Sequence, residues 1–187
     1  MRSPLMILAC LVLLTGCVGN SARPVEPARF DLGPTAIDAS PPGIASVEVG
    51  APSWLAGSTM QYRLSYADPA RRFDYADSRW AAPPAELLGQ NLERRLTGPA
   101  AGRCRLRIEL DELVQDFAAP NASRVVLVGR AVLLGSPEVL ARRNFAFASA
   151  APTADAKGGV AAAMTAVKAL GDEMAAWVAQ VDRCRPE

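Results

Sequence analysis

The feature that most limits the folds open to this chain is a block of two-residue periodicity between residues 104 and 150. In "CRLRIELDELVQDFA", Leu106, Ile108 and Leu110 alternate with Arg105, Arg107 and Glu109. Successive side chains of a strand point to opposite faces, so this segment reads as a strand with one covered and one wet face. "SRVVLVGRAVLLG" is apolar on nearly both faces and reads as a central strand. "VLARRNFAFASA", which carries Phe145 and Phe147, reads as a third. The linkers "APN" and "GSPE" are short and turn-like, which makes the three strands a meander.

Two segments change period and can cover such a sheet. In "PPAELLGQNLERRL", Leu88, Leu92 and Leu96 recur every four residues, Pro84 sits near the first turn and Gly98-Pro99 follows the end. A longer helix is expected from about Asp155 to Asp182, with Met164, Val167, Leu170, Met174, Trp177 and Val181 as one stripe. Its start is weakened by Gly158-Gly159. Ahead of the first helix, four short strands are expected. These are "RFDLG" through Phe30 and Leu32, "IASVEVG" through Val47 and Val49, "TMQYRLSY" through Met60, Tyr62, Leu64 and Tyr66, and "RRFDYADSRW" through Phe73 and Tyr75. The expected fold is α/β (α+β-like): a mixed β-sheet of about five to seven strands packed with two main helices, in the order β-β-β-β-α-β-β-β-α.

The N-terminus says where such a domain would work. From Pro4 to Leu14 the apolar run is 11 residues long. That is too short to span a bilayer, which needs about 20 helical residues. With Arg2 before it and small residues after it, the run has the form of a signal peptide. Leu14-Thr15-Gly16-Cys17 resembles a bacterial lipobox. That resemblance implies lipidation of the Cys17 sulfur and cleavage before it, and Val18 in place of Asp implies sorting to the outer membrane. The chain then divides into a lipoprotein signal peptide (1–16), a lipidated Cys17 with a polar, proline-bearing tether (17–28), and a single periplasmic domain (29–187).

Composition removes several function classes. Lys+Arg is 20 and Asp+Glu is 19, a balance that argues against nucleic acid as a main partner. Histidine is absent, which removes Ser-His-Asp and Cys-His machinery and most zinc sites. No Gly-rich phosphate loop is present, and no cofactor or metal site is expected. Of four cysteines, Cys10 leaves with the signal and Cys17 carries lipid. In an oxidising compartment the remaining Cys104 and Cys184 read as one disulfide.

Thr165-x-x-Lys168 has nucleophile–lysine spacing but lies mid-helix. Glu109, Asp111, Glu112 and Asp116 form an acidic cluster, and alternation places Glu109 and Asp111 on the solvated strand face. Arg71-Arg72 and Arg142-Arg143 read as solvated cations.

"FDLG", "PSWLAGSTMQYRL", "YADSRWAAPPAELLGQNLERRL", "LRIELDELVQDF" and the closing Ala-rich helix with Trp177 together resemble the ABC-type transport auxiliary lipoproteins, the PqiC-like family. The resemblance covers nearly all of the mature chain in order, and its most specific piece is Tyr75, Arg79-Trp80 and Pro83-Pro84. It implies a fold similar to the anticodon-binding-like arrangement of the TolB N-terminal domain. It also implies a non-enzymatic lipoprotein that docks on a periplasmic mammalian-cell-entry (MCE) domain protein, served by an ABC permease and ATPase, as a ring of identical subunits. The rival readings are a periplasmic lipid- or lipopolysaccharide-binding shuttle, an outer-membrane assembly lipoprotein, and a hydrolytic enzyme.

Three residues stand out as candidate partner contacts: Trp54, Arg79 and Trp80. Trp80 also suits a place under the helix, with Arg79 paired to an acid such as Asp77. Trp54, before Gly57, suits either the core or an exposed contact.

Overall fold

The computed structural model describes residues 26–34, 44–98 and 102–184. Cys17, the apolar run before it and most of the tether lie outside the described residues.

The strands are β1 (Ala28–Phe30), β2 (Ile44–Gly50), β3 (Thr59–Leu64), β4 (Arg72–Trp80), β5 (Cys104–Ala119), β6 (Ala122–Leu134) and β7 (Val139–Ala150). Helix α1 (Pro84–Leu96) follows β4, and α2 (Ala156–Ala179) follows β7. All seven strands form one mixed sheet, with β1-β4-β3-β5-β6-β7 as the hydrogen-bonded path. β2 and β3 share one edge of the long strand β5: β2 runs parallel to residues 104–109 and β3 parallel to residues 115–117. β5, β6 and β7 form the antiparallel meander read from the alternation.

The helices cover one face. α1 lies over β2, and α2 lies over β6 and β7. Pro84 occupies the first turn of α1, where its missing N–H costs nothing, and Leu87, Leu88, Leu92 and Leu96 turn inward. α2 starts at Asp155, whose carboxylate accepts from the Gly158 N–H at 2.7 Å. Its buried stripe runs through Val160, Ala163, Val167, Leu170, Met174 and Trp177. Met164, expected on that stripe, is exposed instead, because glycine and alanine fill the close contact at the helix start.

Those small residues are required by contact. A Cβ on Gly158 would lie 2.0 Å from the Thr153 carbonyl oxygen, and one on Gly159 would lie 2.0 Å from Gln115 Oε1. Of the glycine pair that weakens the helix in sequence terms, Gly158 makes room for the turn at Thr153 and Gly159 lets the helix sit on Gln115 of the sheet. At the other end, Cys104 at the head of β5 is disulfide-bonded to Cys184, in the 3-10 turn (Asp182–Cys184) after α2. The linkage fastens the end of α2 to the sheet.

β5 departs from simple alternation. Cys104, Leu106, Ile108 and Leu110 face the helices, but beyond the register shift between Leu110 and Glu112 the covered positions are Leu113, Gln115 and Phe117. A bulge of one extra residue exchanges the faces. It sends Asp111 and Glu112 together to the uncovered side, followed by Val114 and Asp116.

Candidate functional site

The uncovered face of the sheet holds most of the polar side chains with defined partners. Glu48 accepts from Arg107 at 3.2 Å, and Asp111 accepts from Arg130 at 3.1 Å. Asp116, itself buried, accepts from Ser65 Oγ and from Arg124 at 3.3 Å. Near the middle, both oxygens of Glu112 accept from Arg72 Nη2, at 2.7 and 2.8 Å, and Oε2 also accepts from Arg63 at 3.0 Å. Of the acidic cluster of the sequence, Asp111, Glu112 and Asp116 are each held by arginine from another strand, and Glu48 of β2 joins them. Among the described residues no group of three His, Cys, Asp or Glu side chains is placed to hold a metal ion.

Trp54 sits beside the Glu112 group. Where β2 leaves the edge of β5 and before β3 rejoins it, the chain forms a single 3-10 turn, Ser53–Leu55. Leu55 is buried and anchors the turn, while Trp54 is 54% exposed. The Trp54 carbonyl accepts from Gln61 Nε2 at 3.3 Å, and Gln61 Oε1 accepts from Arg72 Nη1 at 3.2 Å. A continuous network thus runs from the Trp54 backbone through Gln61 and Arg72 to Glu112. The indole is displayed on a turn pinned from below by Leu55 and from the side by Gln61. Large aromatics held in this way dominate the energetics of protein interfaces.

Arg79 and Trp80 have other duties. Trp80 is 6% exposed and belongs to the core. Arg79 does not pair with Asp77. The β3–β4 register jumps from Thr59↔Arg79 to Gln61↔Asp74, so β4 bulges over residues 75–78. Arg79 Nη1 donates to the Tyr75 carbonyl, and at 3.1 Å to that of Ser78, supplying partners that the bulge removes from the ladder.

On the covered face, Tyr62 stacks on Phe73 at 5.2 Å and contacts Tyr75 at 4.7 Å between ring centroids. Arg71 lies over Phe73 at 4.5 Å. Tyr75 Oη donates to Gln115 Oε1 at 2.9 Å. Gln115 Nε2 in turn donates to Ser123 Oγ at 2.8 Å and to the Asp155 carbonyl at 3.1 Å, so one buried amide ties β5 to β4, β6 and the start of α2. Burial, helped by Tyr62 and Asp155, pushes the Tyr75 phenol up to about 12. The recess between Met60, Trp80, Leu113 and Ala163 measures about 20 Å³. That admits one water and no acyl chain.

The other sequence candidates are engaged locally. Thr165 Oγ1 donates to the Ala161 carbonyl, while Lys168 pairs with Asp172 at 2.9 Å, so the two do not meet as nucleophile and base. Asp172 also pairs with Arg95 of α1, and both cations hold its carboxyl below the usual range. Arg143 reaches Glu173 at 3.4 Å and lies over Trp177 at 5.6 Å. No described helix is long and apolar enough to cross a membrane. The Gln61–Arg72–Glu112 network was beyond sequence reasoning, because it depends on the bulge at Asp111. The only available signal was the jump of the apolar pattern from Leu110 to Leu113.

No family model and no curated protein matches the chain. Several solved structures share its fold, two of them as follows. One is a crystal structure of a Xanthomonas campestris protein described under the family model DUF330, with a TM-score of 0.67 and 18% identity over 80% of this chain and 94% of that one. The other is a crystal structure described as an uncharacterized protein, with a TM-score of 0.64 and 15% identity over 82% of this chain and 99% of that one. At these identities the likeness is one of fold.

Proposed function

We propose that this chain is a non-enzymatic lipoprotein, anchored at the periplasmic face of the outer membrane through Cys17. In this reading it serves as an auxiliary subunit of an ABC/MCE-type lipid transport system and docks on the MCE-domain protein. The lipobox-like Leu14-Thr15-Gly16-Cys17 supports the anchoring. The sequence motifs that resemble the auxiliary lipoproteins support the system. The observation that carries the docking role is Trp54, a large apolar side chain exposed on a braced turn beside ion-paired strands.

The test is photocrosslinking from position 54 in the full-length chain, in native membranes, with the captured species identified by mass spectrometry. Capture of an MCE-domain protein is expected. Trp54→Ala should weaken that association by about 30-fold, the loss of a ~2 kcal/mol anchor. Its thermal unfolding should be unchanged, because the side chain is mostly exposed. Capture of lipid alone, or of an outer-membrane assembly protein alone, would overturn the proposal.

A further inference from the structure

β7 ends the sheet, and among the described residues no strand lies beyond it. The Ala151 N–H donates to the Ser123 carbonyl at 2.9 Å. With Ser149 opposite Val125, Phe147 opposite Leu127 and Phe145 opposite Gly129, that bond fixes the phase of the ladder. Odd-numbered residues of β7 turn their backbone groups to β6. Arg142, Asn144, Ala146, Ala148 and Ala150 turn theirs outward, and all five are exposed. Folded proteins usually blunt such an edge with charge, proline, a bulge or a short strand. β7 has 12 residues, and "NFAFASA" (144–150) has no charge, proline or glycine.

We propose that β7 is a homotypic docking edge. A second copy of this chain adds antiparallel to it, with the two-fold axis at Ala146. In this register Ala146 faces its own copy, Asn144 faces Ala148 and Arg142 faces Ala150. About ten N–H···O bonds form, two for each outward-facing pair. The side chains agree with the backbone. On the uncovered face every outward-facing pair includes an alanine, and no arginine meets an arginine. On the covered face Phe145 comes opposite Phe147 and Arg143 opposite Ser149. An axis at Asn144 or Ala148 loses both aromatic pairs and shortens the ladder.

The helix layer accommodates the same arrangement. α2 lies over β6 and β7, and Glu173 marks its β7-side flank through Arg143. Ala169 and Ala176, four and three residues from Glu173, share that flank. At ~4.8 Å per strand, the two α2 helices come about 10 Å apart, close to ordinary helix-packing distance. Small side chains on the facing flanks suit that approach. The contact is isologous and closes at two copies, so it differs from the head-to-tail contact that builds a ring. It does not depend on which transport partner the chain serves.

The chain supplies its own test. Cys104 and Cys184 are bonded to each other, Cys17 is the expected lipid site and Cys10 is expected to leave with the signal peptide, so in the mature chain a cysteine placed on β7 is the free thiol. In a hydrogen-bonded antiparallel pair the Cα atoms lie ~5.5 Å apart, within disulfide reach. Ala146→Cys in the full-length chain, oxidised in its native membrane, should give a disulfide-linked homodimer. Ala148→Cys alone should not, and Asn144→Cys expressed with Ala148→Cys should give the mixed dimer. Adding Ala148→Pro should abolish the Ala146→Cys dimer while leaving the unfolding temperature in place, because the Ala148 N–H points outward. A monomeric Ala146→Cys chain, equal dimer from Ala148→Cys alone, or Ala146→Cys linked to a different protein would each overturn the proposal.

Discussion

The Cys104–Cys184 linkage offers the sharpest quantitative check on how this domain is held together. The two residues are 80 apart in sequence, and the loop they close contains all of β5, β6, β7 and α2. In the chain-entropy treatment, cross-linking a loop of that size removes about 15 cal/mol/K from the unfolded ensemble, or ~4.5 kcal/mol at room temperature. For a domain of this size each kcal/mol moves the midpoint by roughly 2–4 °C, so losing the linkage should lower Tm by about 9–18 °C. The perturbation is the double variant Cys104→Ala/Cys184→Ala, compared with the oxidised chain by circular dichroism during heating. Unfolding of the oxidised chain with reductant present separates lost cross-linking from lost side-chain volume at two buried positions. A fall of under about 3 °C, with hydrogen exchange rising only around the 3-10 turn at Asp182–Cys184, would refute the reasoning. The linkage would then restrain a local segment rather than the unfolded chain.

Two further outcomes follow from the buried polar cluster. One of the three tyrosines should ionise only near pH 12 in an absorbance titration, and Tyr75→Phe should remove that step. Because the folded state raises this pKa above the unfolded value of about 10, stability is intact below pH 10 and falls as pH climbs toward 12. Tyr75→Phe also leaves Gln115 Oε1 without its donor, and should cost about 1–3 kcal/mol in denaturant unfolding at neutral pH. Gly159→Ala, which would stabilise an ordinary helix, should destabilise this one by about 1–3 kcal/mol, since the new Cβ displaces Gln115. An unchanged or higher midpoint for that variant would mean that Gln115 does not bridge the sheet to α2.

What the sequence made legible follows from where one residue's neighbours are themselves local. Alternation from Cys104 to Leu110 and the four-residue spacing of Leu88, Leu92 and Leu96 are properties of single elements, and each lies where the pattern put it. The alternation in "TMQYRLSY" ran further than the strand, which stops at Leu64 and leaves Tyr66 exposed, because the chain turns there back toward β4. "RFDLG" likewise contributes only Arg29 and Phe30 to the three-residue β1, and Gly33 beyond them takes a positive φ of 71°. The candidate site was less accessible. Trp54 was visible as an unassigned aromatic, but its display depends on β2 and β3 sharing one edge of β5, which no local pattern encodes. Arg79 illustrates the same limit. Its partners are main-chain carbonyls freed by a bulge, and sequence proximity pointed to Asp77 instead.

The charge arrangement explains why Trp54 and β7, rather than the arginines, are the places to look for partners. On the uncovered face Glu48, Asp111, Glu112 and Asp116 each pair with arginine from an adjacent strand. Those arginines are already engaged, and each exposed pair contributes at most about 1 kcal/mol. Specific association must then come from groups that water satisfies poorly. Among the described residues, two groups of that kind are the indole of Trp54, the most exposed large apolar side chain, and the outward backbone of β7 with Phe145 and Phe147 beneath it. They lie on opposite sides of β5, one where β2 gives way to β3 and the other beyond β6. A second copy added at β7 therefore leaves Trp54 free. If both proposals hold, the Ala146→Cys cross-linked dimer should bind the Trp54 partner as tightly per chain as the uncross-linked protein does. Loss of binding on cross-linking would place the partner on β7 and return Trp54 to the status of a scattered surface aromatic.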